Sequence, residues 1–411
     1  MSSFLTNLSR GLLVSVLPLV LAGAAGADEV TDWHEHMLVA LTKGGGNSQV
    51  RSRNAAHVSA AVFDAVNGIE RRYTPIHVPA DAPRGASKRA AAVQAAYAIL
   101  LSKFPAQADE LNAKRDASMA AIGDGGQSME RGVAWGQFVA DAILDWRNTD
   151  GFTPTPPPYL GSDEPGKWRP TPPAFAPGAV PQFATMTPWG ILSPDQFRPP
   201  GPPALGSDQY LRDYDEVRRM GSATSPFRTA DQTDASRFWE SGSPTHIGDR
   251  AALDLLATRE TELSANARLL ATLNLSIADA LIACWDAKYH YESWRPVTAI
   301  GLTDDPAWTP LLATPAHPEY TSGHSSASSA AATVLADYFG DDTAFSLQSP
   351  SAPGWVRSYA SFSAALAEVA DARVFAGFHF RTACNDGRIL GSAVAAYILK
   401  NRLVRIHGEG E

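Results

Sequence analysis

Cysteine is nearly absent from this 411-residue chain, with Cys284 and Cys384 as the whole supply. Two thiols exclude a disulfide framework and a cysteine-built zinc site, and leave either one bridge or two buried free thiols. Long apolar runs are also missing. The segment from Leu12 to Leu21 is interrupted by Pro18 and is too short to cross a bilayer, and nothing later reads as long enough. Positive charge is in deficit, with 34 Lys and Arg against 43 Asp and Glu and a formal net charge of −9. An acidic surface argues against nucleic acid and anionic membranes as partners, so an anionic ligand has to be drawn by a local cluster of cations. No internal repeat of clear period and no strand pattern stand out. Helices are what remains to build the chain.

Residues 1–27 read as an export signal, with Arg10 as lone cation, a short apolar segment, and Ala25-Gly26-Ala27 offering small residues for cleavage before Asp28. Its removal takes the net charge to −10 and predicts a secreted or periplasmic protein. Over 28–150, apolar residues at three- and four-residue spacing predict helices at Asp32 to Leu41, Arg53 to Ile69, Ser87 to Phe104, Ala106 to Ile122 and Gln127 to Trp146. His34 and His36 do not share a helical face, which argues against a metal site there, and His57 reads as a core or boundary residue. Residues 151–207 are dominated by proline with large aromatics interspersed, the composition of a loop wrapped over helices. Helices resume over 208–411, at Asp208 to Met220, Thr229 to Glu240 and Asp249 to Arg259, and the longest runs from Glu262 to Trp294. The expected fold class is all-α, with antiparallel helices packed as bundles in two four-helix-bundle-like halves.

Three stretches of the C-terminal region carry chemistry. In KYHYESWRP, Lys288 and Arg295 stand seven residues apart, which on one helix puts both cations near one face about 10 Å apart, with Pro296 as the stop. Glu292 is spaced to pair with either and cannot neutralise both. The second stretch, His317-Pro318-Glu319-Tyr320-Thr321-Ser322-Gly323-His324, leads into a small-residue helix that Thr321 or Ser322 can cap. The helix's first amides would then point at an anion beside His324. In the third, Arg373 and His379 stand among apolar and aromatic residues, where an unpaired charge is costly, so each needs a ligand or an acid. Arg381 reads as a surface residue.

Taken in order, Lys-x6-Arg-Pro, Ser-Gly-His and Arg-x5-His resemble the vanadium-dependent haloperoxidases and their phosphatase relatives, which include bacterial acid phosphatases and type 2 phosphatidic acid phosphatases. WDAKYHYESWRPVTAI and the proline-rich stretch resemble the soluble bacterial haloperoxidase-like group. The resemblance implies that Lys288, Arg295, Ser322, Gly323 and Arg373 hold the oxygens of vanadate or phosphate. It implies His379 as metal ligand or phosphatase nucleophile, and His324 as general acid/base. It implies a vanadate cofactor, with hydrogen peroxide, a halide and a small organic acceptor as partners and Lys288 polarising the bound peroxide. His317 stands where bromide-oxidising members carry histidine, which favours bromide.

Two positions depart from the family pattern. Thr321 replaces a proline, and Ala383 stands where phosphatase members place the aspartate that orients the last histidine, with Asp386 at the wrong spacing to replace it. A backbone carbonyl is the substitute expected. Loss of that carboxylate weakens a histidine nucleophile more than a metal ligand. A secreted phosphomonoesterase is therefore the second expectation, and an oxyanion-binding helical protein without turnover the third.

Overall fold

The computed structural model describes residues 28–406 except Pro353, so the expected export signal lies outside the described residues. Five helices come first: α1 (Glu29–Gly44), α2 (Ser48–Glu70), α3 (Lys88–Lys103), α4 (Ala108–Ala121) and α5 (Gly126–Arg147). Their starts follow from the sequence, because Asp28, Asn47 and Ser87 each accept a backbone N–H of the first turn of α1, α2 and α3. Helices α1, α2, α3 and α5 pack on one another, and α2 also packs on α9 (Leu263–Tyr291), joining this half to the second. Along the 29 residues of α9 nearly every side chain is buried. It has the length and hydropathy of a membrane span, unlike the expectation that no later run reaches them, yet it is the central core helix of the fold.

The second half sets α9 against α11 (Gly323–Phe339), α12 (Phe362–Phe375) and α13 (Arg381–Asn401), flanked by α6 (Asp208–Met220), α7 (Ala230–Glu240) and α8 (Pro244–Leu256). The all-α expectation holds, with one addition: an antiparallel two-stranded ribbon pairs Phe345–Gln348 with Val356–Tyr359. Strands this short leave little alternation to read. Helices α11 and α13 approach closely because Gly391 lies against the Ser326 carbonyl, where a Cβ would fall at 2.0 Å.

Residues 151–207 run over the helices as a wrap with one short 3₁₀ turn, Pro181–Thr185. Trp168, Phe183 and Met186 are fully buried, and the carboxylate of Asp279 on α9 accepts the backbone N–H groups of Trp189, Gly190 and Ile191. A stretch with little regular structure thus finds partners for its amides in a core helix.

Candidate active site

The wrap also decides where α9 stops. Glu292 takes a left-handed conformation, φ 55°, and its N–H closes back on the Lys288 carbonyl. The next residues leave the helix and bond to the wrap: Trp168 N–H to Glu292 O at 2.7 Å, Trp294 N–H to Gly166 O at 2.9 Å. Arg295 then caps α10 (Pro296–Thr303), with Pro296 at its first turn. This corrects the expectation of one helical face. The helix ends at Tyr291, Pro296 starts a helix rather than stopping one, and Lys288 and Arg295 meet across a turn. Glu292 is not their partner either; it accepts from the Tyr159 hydroxyl at 2.6 Å and from Lys167 at 3.3 Å.

Lys288 is 0 % exposed. Its ammonium donates to the carbonyls of Pro318 at 2.8 Å and Glu319 at 2.9 Å, and to that of Thr321. All three N–H bonds are used on one loop, so Lys288 braces that loop and acts on its surroundings through charge. Burial pulls it down to about 7, with Arg295 adding repulsion. Arg295 is equally buried; it donates to His317 O at 2.9 Å and Phe378 O at 2.9 Å, and its Nη1 lies 3.3 Å from His379 Nε2. The first and third stretches therefore touch.

His379 is positioned by a carboxylate that the spacing rule does not find. Its Nδ1 lies 2.8 Å from Glu319 Oε1, which also accepts Phe380 N–H at 3.0 Å. The carbonyl expected as a substitute is not what orients the ring; Glu319, in the second stretch, is. Asp386 turns elsewhere and accepts from the Tyr320 hydroxyl. Because Glu319 Oε1 is an acceptor for Phe380 N–H, it takes a hydrogen from Nδ1 as well, which puts the ring's lone pair at Nε2; there it meets Arg295 Nη1, a contact that a ligand on Nε2 would replace. Burial, then the positive charges of Arg295, Lys288 and Arg373, hold the ring well below the usual histidine range, so it is neutral at neutral pH. Burial pushes the Glu319 carboxyl the other way, up to about 8, against the pull of Arg295 and Lys288.

Arg373 reaches the same place from α12. Its partner is Glu240, at 2.8 Å from Nη1, while Nε is buried with no hydrogen-bond partner. Ser322 caps α11 by accepting Ser325 N–H, and its own N–H goes to Ala383 O at 3.0 Å. Gly323 opens the helix, where a Cβ would press on Trp285 at 3.3 Å. His324, one residue on, is held well below the usual range by burial first and then by Arg373. Its imidazole lines the cavity beside Arg373 and His379. His317 packs on Trp285 with ring centroids 4.8 Å apart, its Nδ1 2.9 Å from Arg295 Nη2.

His317, Gly323, His324, Arg373 and His379 line one cavity of about 480 Å³, while Lys288, Arg295 and Ser322 stand behind its wall. The two cysteines are free and buried, Cys284 with its Sγ 3.4 Å from the Thr321 carbonyl. Arg381 is bound to Glu216 and Asp371 and lies outside the site.

Residues 268–407 match the family described as VCPO second helical-bundle domain. The whole chain is similar to the crystal structure of a bacterial vanadium-dependent iodoperoxidase: 27% identity over 92% of this chain and 98% of that one, TM-score 0.80. A bacterial vanadium-dependent chloroperoxidase in its holo form shares the fold at 19% identity, over 92% of this chain and 98% of that one, TM-score 0.73. Its apo form matches at 18% identity over 85% and 93%, TM-score 0.70. The comparison with curated proteins found no match.

Proposed function

We propose that this chain, which belongs to the superfamily of vanadium haloperoxidases and type 2 phosphatidic acid phosphatases, is an exported vanadate-dependent haloperoxidase that oxidises bromide with hydrogen peroxide. The observation that carries the reading is the buried cluster of Lys288, Arg295 and Arg373 around a neutral His379 whose Nδ1 is engaged by Glu319.

The donor set fits an oxyanion. Arg373 Nε is an orphaned buried donor at the cavity, and the Gly323 end of α11 brings helix-terminal amides to the same wall. His379 would hold vanadate through Nε2, with Arg373 and Gly323 at its oxygens and Lys288 and Arg295 balancing its charge from behind. Vanadate bound there supplies a Lewis acid that activates hydrogen peroxide for attack by halide without changing oxidation state.

The protein's own part is binding and proton handling. Oxidation of one halide ion by one peroxide consumes a proton and yields hypohalous acid and water. His324 stands on the cavity wall, where burial keeps its imidazole neutral and able to accept a proton from peroxide and return it to the departing oxygen. His317, on the cavity wall beside Arg295, supports bromide as the halide. Export rests on residues 1–27 alone.

A phosphomonoesterase is the second reading. The Glu319–His379 pair favours it, because it supplies the orientation that Ala383 does not. Assays on one preparation separate the two: bromide, iodide and chloride with peroxide and orthovanadate, against p-nitrophenyl phosphate without vanadate. The proposal expects vanadate-dependent halide oxidation, fastest with bromide, and no ester turnover. Ester hydrolysis inhibited by vanadate, with no halide oxidation, would reverse it.

A further inference from the structure

The cavity is much larger than a tetrahedral oxyanion, and its outer wall comes from the N-terminal bundle, outside the segment that matches the haloperoxidase family. That wall is Asn47, Ser48, Gln49 and Arg51, the first turn of the 23-residue helix α2. Three observations single it out. Gln49 is 6 % exposed and lines the cavity. Arg51 has no carboxylate partner among the described residues, and its Nε is buried without an acceptor. The helix N-terminus at Ser48 adds the partial positive charge of free amides. The same cavity is lined by Trp285, Leu281, Pro244 and Pro315.

We infer that this outer half is a binding site for an aromatic anion, its carboxylate held by Arg51, Gln49 and the α2 N-terminus and its ring lying toward Trp285 and Leu281. An unpaired guanidinium in a partly dry cavity prefers a forked carboxylate, and an indole wall prefers a flat apolar ring. The assignment of that ligand as the organic acceptor rests on the haloperoxidase reading; the binding site does not. In that role a ring C–H bond breaks and a C–halogen bond forms with halogen from hypohalous acid. The displaced proton and the hydroxide leave as water.

The probe is 4-hydroxybenzoate, with neutral 4-hydroxybenzyl alcohol as its uncharged counterpart, titrated calorimetrically into the full chain with and without saturating orthovanadate. The acid should bind in both states, the alcohol about tenfold more weakly or less well still, consistent with loss of a charge-assisted pair. Arg51→Met should weaken the acid by about tenfold or more, while orthovanadate affinity stays within about twofold. Gln49→Glu is the second variant. It places an acid where the helix dipole favours one, so the fold is kept while the carboxylate is repelled. No binding of the acid, equal binding of the alcohol, loss of acid binding once vanadate is present, or an equal loss of vanadate affinity in Arg51→Met would each overturn the inference. Halide oxidation, assayed separately, reports on the haloperoxidase reading whatever the titration gives.

Discussion

At His379 the neighbour that matters lies 60 residues away in the chain, at Glu319. Its Oε1 takes the Nδ1–H and the Phe380 N–H together, so the carboxyl is held by a backbone amide and the ring cannot rotate without stranding its own buried N–H. Glu319→Leu removes the acceptor and should lower kcat for halide oxidation about 10- to 100-fold, the usual range for an orienting partner. Glu319→Gln keeps an acceptor oxygen and should lose less, and a steady-state comparison of the two variants checks the ordering. A second prediction concerns pH. Lys288 is pulled down to about 7 and Glu319 pushed up to about 8, so on raising the pH from 6 to 9 the empty site loses positive charge at the first and gains negative charge at the second. Both changes disfavour an anion. The affinity for molybdate, whose own charge is constant over that window, should therefore fall as pH rises. Lys288→Met and Glu319→Gln should each flatten the fall, and titration at four or five pH values would reveal a flat or rising profile if the signs are wrong.

At the scale of elements, the sequence speaks clearly where helices are amphipathic and capped, and misleads where tertiary partners end them. Asp208–Met220 appears with the expected bounds. The KYHYESWRP run reads as continuous helix because nothing in it announces the left-handed Glu292; the bonds that stabilise that turn come from Gly166 and Trp168 in the wrap. Glu319 lies within the second motif, but no spacing rule links it to His379. The same long-range pairing yields a prediction for Asp279. Asp279→Ala strands three backbone N–H groups of the wrap and should cost about 3 kcal/mol or more in urea unfolding, at about 1–3 kcal/mol for each buried donor left bare. Gly391→Ala pushes a methyl into the Ser326 carbonyl and should cost about 1–3 kcal/mol by overpacking the α11–α13 contact. Unfolding midpoints equal to wild type would refute either.

Over the whole molecule, a net charge of −9 coexists with one cavity whose buried groups are mostly cationic or neutral. An acidic exterior and a basic interior separate two tasks, solubility and anion capture. The N-terminal half looks like support in the sequence, because its histidines His34 and His57 are core residues bonded to backbone carbonyls. Only the fold brings α2's first turn to the rim of a site whose identifiable motifs lie some 240 to 330 residues downstream. The site's composition was thus largely legible, and its outer wall was not.

In the proposed holoenzyme the Lys288–Arg295, Ser322–His324 and Arg373–His379 segments surround one oxyanion seated on His379. Vanadium K-edge absorption of the full chain loaded with orthovanadate tests it directly. Wild type should show a single imidazole nitrogen bound to vanadium, absent in His379→Ala along with halide oxidation. An unchanged spectrum and unchanged turnover in the variant would contradict it.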